Sequence, residues 1–219
     1  MSRKITIDPV TRVEGHGRVT IHLDEYGQVK DSFFHILEFR GFVRFIQGHP
    51  YWEAPVLVQR LCGICPVSHH LAAAKAIDQI VGIDPSDLSP TATRLRRLMH
   101  YAQIFQSHAL HFFYLASPDL LFGLDAPVEK RNIVAVAVEN RALAIKGITM
   151  RKFGQEVIKA VAGKKIHGIL AVPGGVHNSL TLEERDYFLD GKEIENIDTM
   201  IEWTQEMVDF MHDYHVKNK

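Results

Sequence analysis

Two cysteines separated by two residues are the side chains of this sequence whose types and spacing most clearly predict chemistry. Cys62 and Cys65 are the only cysteines among the 219 residues, and His69 follows the second by four positions. Thiolates bind soft metals, and a closely spaced pair of thiols can also form a redox-active disulfide. The segment from Arg60 to His69 therefore predicts a soft-metal site or a redox dithiol.

The residues after the second cysteine predict a helix, because Pro66 suits a first helical position and residues 72–76 are rich in alanine. With Cys65 as the N-cap, its sulfur would face the free amides of the first turn, where the helix dipole stabilises negative charge. His69 would lie one turn further along the same face. Gly63 would allow the tight turn that brings both sulfurs to one point.

Three specific interpretations of the cysteine pair compete at this point. A structural zinc site needs four ligands, usually from a second cysteine or histidine pair, and no such spacing accompanies this one. A thioredoxin-like dithiol needs a βαβ context, whereas Pro50 and Pro55 interrupt the preceding segment. Two buried structural cysteines would account for neither Gly63 nor His69.

The elements that must position these residues fall into two regions. Alternating apolar residues such as Ile5 and Ile7 predict antiparallel strands, followed by an irregular segment over 41–59. Helices are expected to begin at Pro66, at Ser89-Pro90, near Pro127 (with an interruption near Gly147), at Thr181 and at Asp198, with a loop over 169–179. We expect an α+β fold with a small N-terminal antiparallel β region followed by a mainly helical body. As a single domain over 1–219, it would hold the β region at about 4–40, a metal-binding loop at 41–65 and the helical body at 66–219.

Composition excludes several classes of function. Acidic and basic residues are interspersed, and the net charge is -1, so the sequence does not predict nucleic-acid binding. No apolar run approaches the ~20 residues of a membrane span, and the N-terminus lacks the apolar region of a signal peptide. A lone cysteine pair is not a secreted disulfide framework, so we expect a cytoplasmic protein. The sequence also lacks a Gly-x-Gly-x-x-Gly fingerprint, so NAD would bind elsewhere.

Three segments together resemble a known family. The pattern Arg-x-Cys-Gly-x-Cys-x-x-x-His at residues 60–69 resembles the first cysteine motif of the large, catalytic subunit of [NiFe]-hydrogenases. Residues 8–17 resemble the Pro-x-Thr-Arg-x-Glu-Gly-His signature of that family, and residues 39–42 resemble its Phe-Arg-Gly segment. The sequences of residues 65–76 and 154–161 are most similar to those of the cytoplasmic, NAD-coupled bidirectional branch of this family. The segment containing His167 and Pro173-Gly174-Gly175 resembles a further part of the family.

The resemblance implies a role for each matching residue. Cys62 would be a terminal ligand of Ni, and Cys65 would bridge Ni and Fe, with CO and CN as further ligands of the iron. His69 would donate a hydrogen bond to a bridging sulfur, although a structural histidine at a helix end is the alternative. Arg60 would position the loop.

Glu14 would relay protons from the metal site. Heterolytic cleavage of H2 releases a proton, so this chemistry requires an ionisable group close by. The alternative role for Glu14 is an ion pair with Arg12 or Arg18 on a strand.

The resemblance also implies partners. Electrons would leave through the Fe-S clusters of a hydrogenase small subunit towards diaphorase subunits that hold FMN and NAD. A maturation protease and nickel-insertion factors would assemble the centre.

Two departures from the family limit this prediction. Val43 lies where many members have a glutamate that binds a structural divalent cation, and valine cannot bind a metal. The family also has a second Cys-x-x-Cys pair near its C-terminus, which this chain lacks. We therefore expect an N-terminal fragment of a longer subunit, a truncated homologue or one of two separate chains, with a non-catalytic assembly or interaction module as the alternative function. Without the missing half, we expect apolar faces of the helices at 91–121 and 128–162 to be uncovered.

Overall fold

The computed structural model describes residues 3–11, 13–38, 41–192 and 194–218. They form two compact units, of which the first ends at residue 47 and the second begins at residue 48. The first unit contains a small antiparallel sheet and the second is mainly helical, which confirms the expected α+β class. The organisation of the chain as a single domain stays a prediction.

The first unit is built on a three-stranded antiparallel sheet with the strands in sequence order. The strands are β1 (Arg3–Ile7), β2 (Gly17–Leu23) and β3 (Val29–Ile36). Gly27, at a φ of 79°, allows the turn between β2 and β3, and the Asp24 carboxylate accepts bonds from two backbone N–H groups of that turn. The short helix α1 (Phe42–Ile46) follows, within residues expected to be irregular.

The second unit holds the remaining elements. Its helices are α2 (Ala54–Leu57), α3 (Pro66–Ile80), α4 (Pro90–Leu110), α5 (Ser117–Phe122), α6 (Ile133–Glu139), α7 (Arg141–Ala162), α8 (Leu182–Asp190) and α9 (Ile197–Lys217). Short 3-10 turns lie at Tyr51–Glu53, Val58–Leu61 and Pro85–Asp87, and a π-helical turn at His111–Ala116 joins α4 to α5. The two-residue strands β4 (Ala171–Val172) and β5 (Gly175–Val176) form a hairpin in the segment expected to be a loop.

Three residues that the sequence predicted as N-caps lie at the starts of helices. Pro66 is the first residue of α3 and Cys65 is its N-cap, as expected. The Ser89 hydroxyl accepts a bond from the Ala92 amide at the start of α4. Thr181 and Glu184 form the expected capping box of α8.

Two helix boundaries differ from the expectation. The helix expected from Pro127 to Ala162 is broken at Asn140, not near Gly147, and its first part begins only after Asn132, whose side chain caps α6. The last helix begins one residue before Asp198, because the Asn196 side chain accepts a bond from the Thr199 amide. Asparagine is a favoured N-cap residue, and Asp198 lies in the first turn of this helix.

Glycines on α7 let this helix approach α4 closely. A Cβ at Gly154 would lie 2.9 Å from the Ala102 carbonyl oxygen and 2.8 Å from Cβ of Gln106. A Cβ at Gly147 would lie 2.5 Å from the Phe113 side chain, so Gly147 is a packing position and not a helix break. The two helices bury a shared core that includes Met99, Phe153 and Ile158.

The close approach at Gly154 leads to a first prediction. Gly154→Ala should lower the free energy of unfolding by about 1–3 kcal/mol, because the added methyl overpacks the α4–α7 contact. The higher helix propensity of alanine would offset only part of this loss. Urea unfolding followed by circular dichroism measures the change. Gly175→Ala is the matched control, since no atom lies within 4 Å of its added Cβ. Equal stability of the two variants would contradict the assignment of this contact.

Candidate functional site

The two cysteines lie on one short turn, the cysteine turn (residues 62–65), which leads into helix α3. Cys62 follows the 3-10 turn Val58–Leu61 in an extended conformation (φ -150°, ψ 128°), and Cys65 is the helix N-cap. Both thiols are half-buried. The fold thus places both sulfur-bearing residues at one end of one helix, as the spacing predicted.

Backbone N–H groups of this turn donate to Sγ of Cys62. The sequence had predicted such donors at Sγ of Cys65. The amides of Ile64 and Cys65 lie 3.4 and 3.3 Å from Sγ of Cys62. Among the described residues, Cys65 makes no side-chain capping bond to the first turn of α3. Two N–H dipoles therefore point towards Cys62 Sγ, which suits a sulfur that carries negative charge as a metal ligand.

Two glutamines of α4 hold the residue between the cysteines. Nε2 of Gln103 and Nε2 of Gln106 both donate to the Ile64 carbonyl oxygen, at 3.0 and 3.1 Å. Both side chains are buried. Sequence reasoning missed these residues, although two amides among the apolar residues of a helix face are a signal that could have identified them.

The histidine next to His69 is the most buried one of α3. His69 is half-buried on the first turn of α3, while His70 is fully buried. Nδ1 of His70 lies 2.8 Å from the Pro55 carbonyl oxygen, and Nε2 accepts bonds from the amides of Leu170 and Ala171 at 3.2 and 3.0 Å. Nδ1 therefore carries the proton of a neutral ring. Burial lowers the pKa of His70 below its ordinary value, and the Pro55 carbonyl opposes this in part.

A buried ion pair fixes the hairpin that resembles a family segment. Nη1 of Arg96 donates to Oδ2 of Asp78 at 2.5 Å, and Oδ1 of Asp78 accepts from the Gly174 amide at 2.9 Å. Arg96 also donates to the carbonyl oxygens of Val172 and Gly175. Residues 173–175 are thus held by α3 and α4. This side-chain clamp assigns the segment a structural role.

His167, which lies in the same family-like segment, has an unusual backbone conformation. Its φ is 56°, in the left-handed region that favours glycine, and its Nε2 is buried. Within the described ranges this nitrogen has no hydrogen-bond partner. Among the residues that the structure describes, no side-chain hydrogen bond joins His167 to the cysteine turn.

The remaining predicted site residues lie on exposed turns. Arg60 is exposed in the 3-10 turn before Cys62. Glu14 is exposed in the bend between β1 and β2 of the first unit, and its placement beside the cysteines stays a prediction. The Arg18 side chain donates to Asp8 at 2.6 Å, which gives Arg18 a partner other than Glu14.

Some predicted motif residues cannot be compared with the structure. Arg12, Phe39 and Arg40 lie outside the described residues. Val43 is exposed on α1. The divalent-cation site that a glutamate at this position would serve therefore gains no ligand from Val43.

The donor set fits part of a soft-metal centre. Within the residues that the structure describes, no group of three or more His, Cys, Asp and Glu side chains is arranged so that it could hold a metal ion. The two thiols of the cysteine turn are ligands that nickel and iron accept.

None of the helices in the described part of the chain has the length and apolar character needed to cross a lipid bilayer.

Comparison with known families matches two consecutive parts of the chain. Residues 4–39 match the family described as HoxL-like, and residues 40–126 match the family described as nickel-dependent hydrogenase. The second match includes both cysteines, His69 and the two glutamines of α4.

Comparison with individual proteins extends over the whole chain. The beta subunit of the NAD-reducing hydrogenase HoxS from Cupriavidus necator is 52% identical, over 100% of this chain and 46% of the relative. The crystal structure of an NAD⁺-reducing [NiFe]-hydrogenase in the H2-reduced state superposes with a TM-score of 0.85 at 55% identity, over 98% of this chain and 46% of that chain.

A more distant structure shares the same fold. The [NiFeSe]-hydrogenase of Dm. baculatum gives a TM-score of 0.64 at 28% identity, over 84% of this chain and 40% of that chain. The chain thus spans less than half the length of the proteins it matches.

The buried His70 leads to a prediction about pH. In the unfolded chain the imidazole takes up a proton below its ordinary pKa of about 6.5, whereas the folded chain keeps the ring neutral to lower pH. The contribution of His70 to the free energy of unfolding is therefore fully present above pH 6.5. It falls as the pH drops from there towards the lowered pKa of the folded state. The slope from this group is at most about 1.4 kcal/mol per pH unit.

Urea unfolding at several pH values between 7.5 and 5.5 measures this slope. His70→Gln should be less stable at every pH, because the amides of Leu170 and Ala171 lose their acceptor, and its pH dependence should be shallower. The exposed His212 provides the control, and His212→Gln should keep the slope of the unaltered chain. An unchanged slope in His70→Gln would contradict the neutral state of His70.

Proposed function

Since the chain belongs to the nickel-dependent hydrogenase family, we propose that it is the N-terminal part of the large subunit of an NAD-coupled [NiFe]-hydrogenase. The observation that carries this proposal is the cysteine turn, in which two half-buried thiols, separated by two residues in sequence, lie at the start of α3. The reaction would be heterolytic cleavage of H2, or its reverse. The rest of the subunit would supply the second cysteine pair.

The residues of the turn fit the roles that the family assigns to them. Cys62 would bind Ni, and Cys65 would bind both Ni and Fe. The Ni-Fe centre, with CO and CN on the iron, would supply the site at which H2 is polarised and split. Two N–H donors at Cys62 Sγ would balance the charge that this thiolate keeps as a ligand.

Polar side chains of this chain would transfer the proton and position the cysteine turn. Glu14 would accept the proton released by cleavage and pass it towards solvent, a role suited to an exposed carboxylate. His69, one helical turn after Cys65, would donate a hydrogen bond to the bridging sulfur. Arg60 precedes Cys62 by two residues and would hold the entrance to the turn.

Electron transfer would need partner subunits. A small subunit with Fe-S clusters would accept the electrons, and diaphorase subunits with FMN would pass them to NAD. The name of the Cupriavidus necator relative describes that protein as a subunit of an NAD-reducing hydrogenase. A maturation protease and nickel-insertion factors would build the centre. We place this hetero-oligomer in the cytoplasm.

A second candidate function is a non-catalytic assembly or interaction module. The exposed apolar side chains of strand β3 favour it, since Phe33, Phe34 and Ile36 are each more than half exposed. Such a module would keep the fold and bind a partner subunit without a working centre. Metal analysis separates the two candidates.

Metal content is the first test of the proposed function. The complete subunit, purified with its small subunit, should contain stoichiometric Ni and Fe and show infrared bands of Fe-bound CO and CN. Cys65→Ser should lose both metals, because its thiolate would bind both in the proposed centre, and Cys62→Ser should lose Ni. Ser68→Ala, an exposed side chain three residues after Cys65, is the control and should keep both metals. Metal-free protein that still binds the small subunit would favour the second candidate.

Proton transfer through Glu14 is the second test. Glu14→Gln keeps the size of the side chain but removes its ionisable group, so it should keep Ni and Fe while H/D exchange falls by about 10²–10⁴-fold. Mass spectrometry of HD formed from D2 in H2O measures the exchange. Glu25→Gln, in the exposed turn between β2 and β3, should exchange at the normal rate. Normal exchange in Glu14→Gln would remove Glu14 from the mechanism.

A further inference from the structure

One peptide group connects two buried glutamines of α4 to the sulfur of Cys62. Its carbonyl oxygen, that of Ile64, accepts bonds from Nε2 of Gln103 and Nε2 of Gln106. Its N–H, that of Cys65, lies 3.3 Å from Sγ of Cys62. We propose that Gln103 and Gln106 are positioning residues that aim and strengthen this N–H bond to the metal-binding sulfur. The metal role of the pair rests on the proposed function.

The planarity of the peptide makes this connection rigid. Because the carbonyl and the N–H of one peptide lie in one plane and point in opposite directions, fixing the oxygen of Ile64 also fixes the direction of the Cys65 N–H. A carbonyl oxygen has two lone pairs, and the two carboxamides occupy both. The peptide cannot rotate without breaking two buried hydrogen bonds.

The same bonds also polarise the peptide. Hydrogen bonds in a chain strengthen one another, since a donor at the carbonyl draws electron density away from the N–H. Two donors at Ile64 therefore make the Cys65 N–H a stronger donor to Cys62 Sγ. Hydrogen bonds to a ligating sulfur tune the metal that it binds.

The surroundings of the glutamines are built for this contact. Each glutamine is 3% exposed, and burying a polar group without a hydrogen bond is costly, a cost that the bonds to Ile64 avoid for both Nε2 atoms. Oε1 of Gln106 has no hydrogen-bond partner within the described residues. Residues 103 and 106 are three apart and so share one face of α4. Gly154 of α7 leaves the space for the backbone of Gln106, 3.2 Å from the position of an added Cβ. Apolar side chains would fill the same volume at lower cost, so the amides serve the Ile64 carbonyl.

The connecting peptide can be observed alone by NMR. Isoleucine labelled with ¹³C at the carbonyl and cysteine labelled with ¹⁵N give one Ile–Cys signal, because Leu61 precedes Cys62 and Ile64 precedes Cys65. The variants are Gln103→Met, Gln106→Met and the double variant. Gln59→Met is the control, since Gln59 is an equally buried glutamine that donates to the Pro55 carbonyl.

The expected result has two parts. Each single variant should shift the Ile64 carbonyl and Cys65 amide signals to lower frequency, and the double variant should shift them further. Hydrogen exchange of the Cys65 amide should become about tenfold faster in the double variant, as the loss of one net hydrogen bond implies. Gln59→Met should leave the signal in place. If the double variant does not fold, the two single variants decide the outcome.

Failure of this inference is distinguishable from failure of the proposed function. An unmoved Ile64–Cys65 signal in the folded variants overturns the positioning role, even when the subunit's metal content depends on Cys62 and Cys65. A moved signal in a subunit whose nickel content does not depend on Cys62 overturns the proposed function, and with it the metal role of the two glutamines.

Discussion

The position of the cysteine turn depends on the two hydrogen bonds that cross from α4 to the Ile64 carbonyl. A displaced turn would leave two buried carboxamides without their acceptor, and each unpaired group costs about 1–3 kcal/mol. The bonds form because α4 lies close to the turn, and α4 is held by its contact with α7 at Gly154. A glycine that is distant in sequence thus contributes to where the two thiols lie.

Helix α3 carries Cys65 and is anchored along its length by buried polar groups. His70, near its start, connects Pro55 before the turn to Leu170 and Ala171 after α7. Asp78, near its end, pairs with Arg96 of α4 and holds the hairpin of β4 and β5. Removing one partner of such a buried pair costs about 3–5 kcal/mol. The start of α3 is therefore fixed by both preceding and following parts of the chain.

Local signals in the sequence predicted the elements that carry the site. The N-cap at Cys65 and the caps at Ser89 and Thr181 depend only on neighbouring residues, and the structure confirms all three. The sequence predicted a helix break near Gly147, whereas the break lies at Asn140. In the sequence alone, a glycine that packs against Phe113 cannot be distinguished from a glycine that ends a helix. Gln103 and His70 were missed because their hydrogen-bond partners are distant in the sequence. The partner of Gln103 is 39 positions away, and the partners of His70 are 100 and 101 positions away. The roles of Glu14, His69 and Arg60 stay predictions.

The central claim is that Cys62 and Cys65 bind nickel, and X-ray absorption at the nickel edge tests it most directly. In the complete subunit, nickel should show sulfur ligands, and Cys62→Ser should lose nickel or bind it with fewer sulfur ligands, whereas Ser68→Ala should give the unaltered spectrum. Nickel with only oxygen and nitrogen ligands, or a sulfur shell that is the same in Cys62→Ser, would contradict the account.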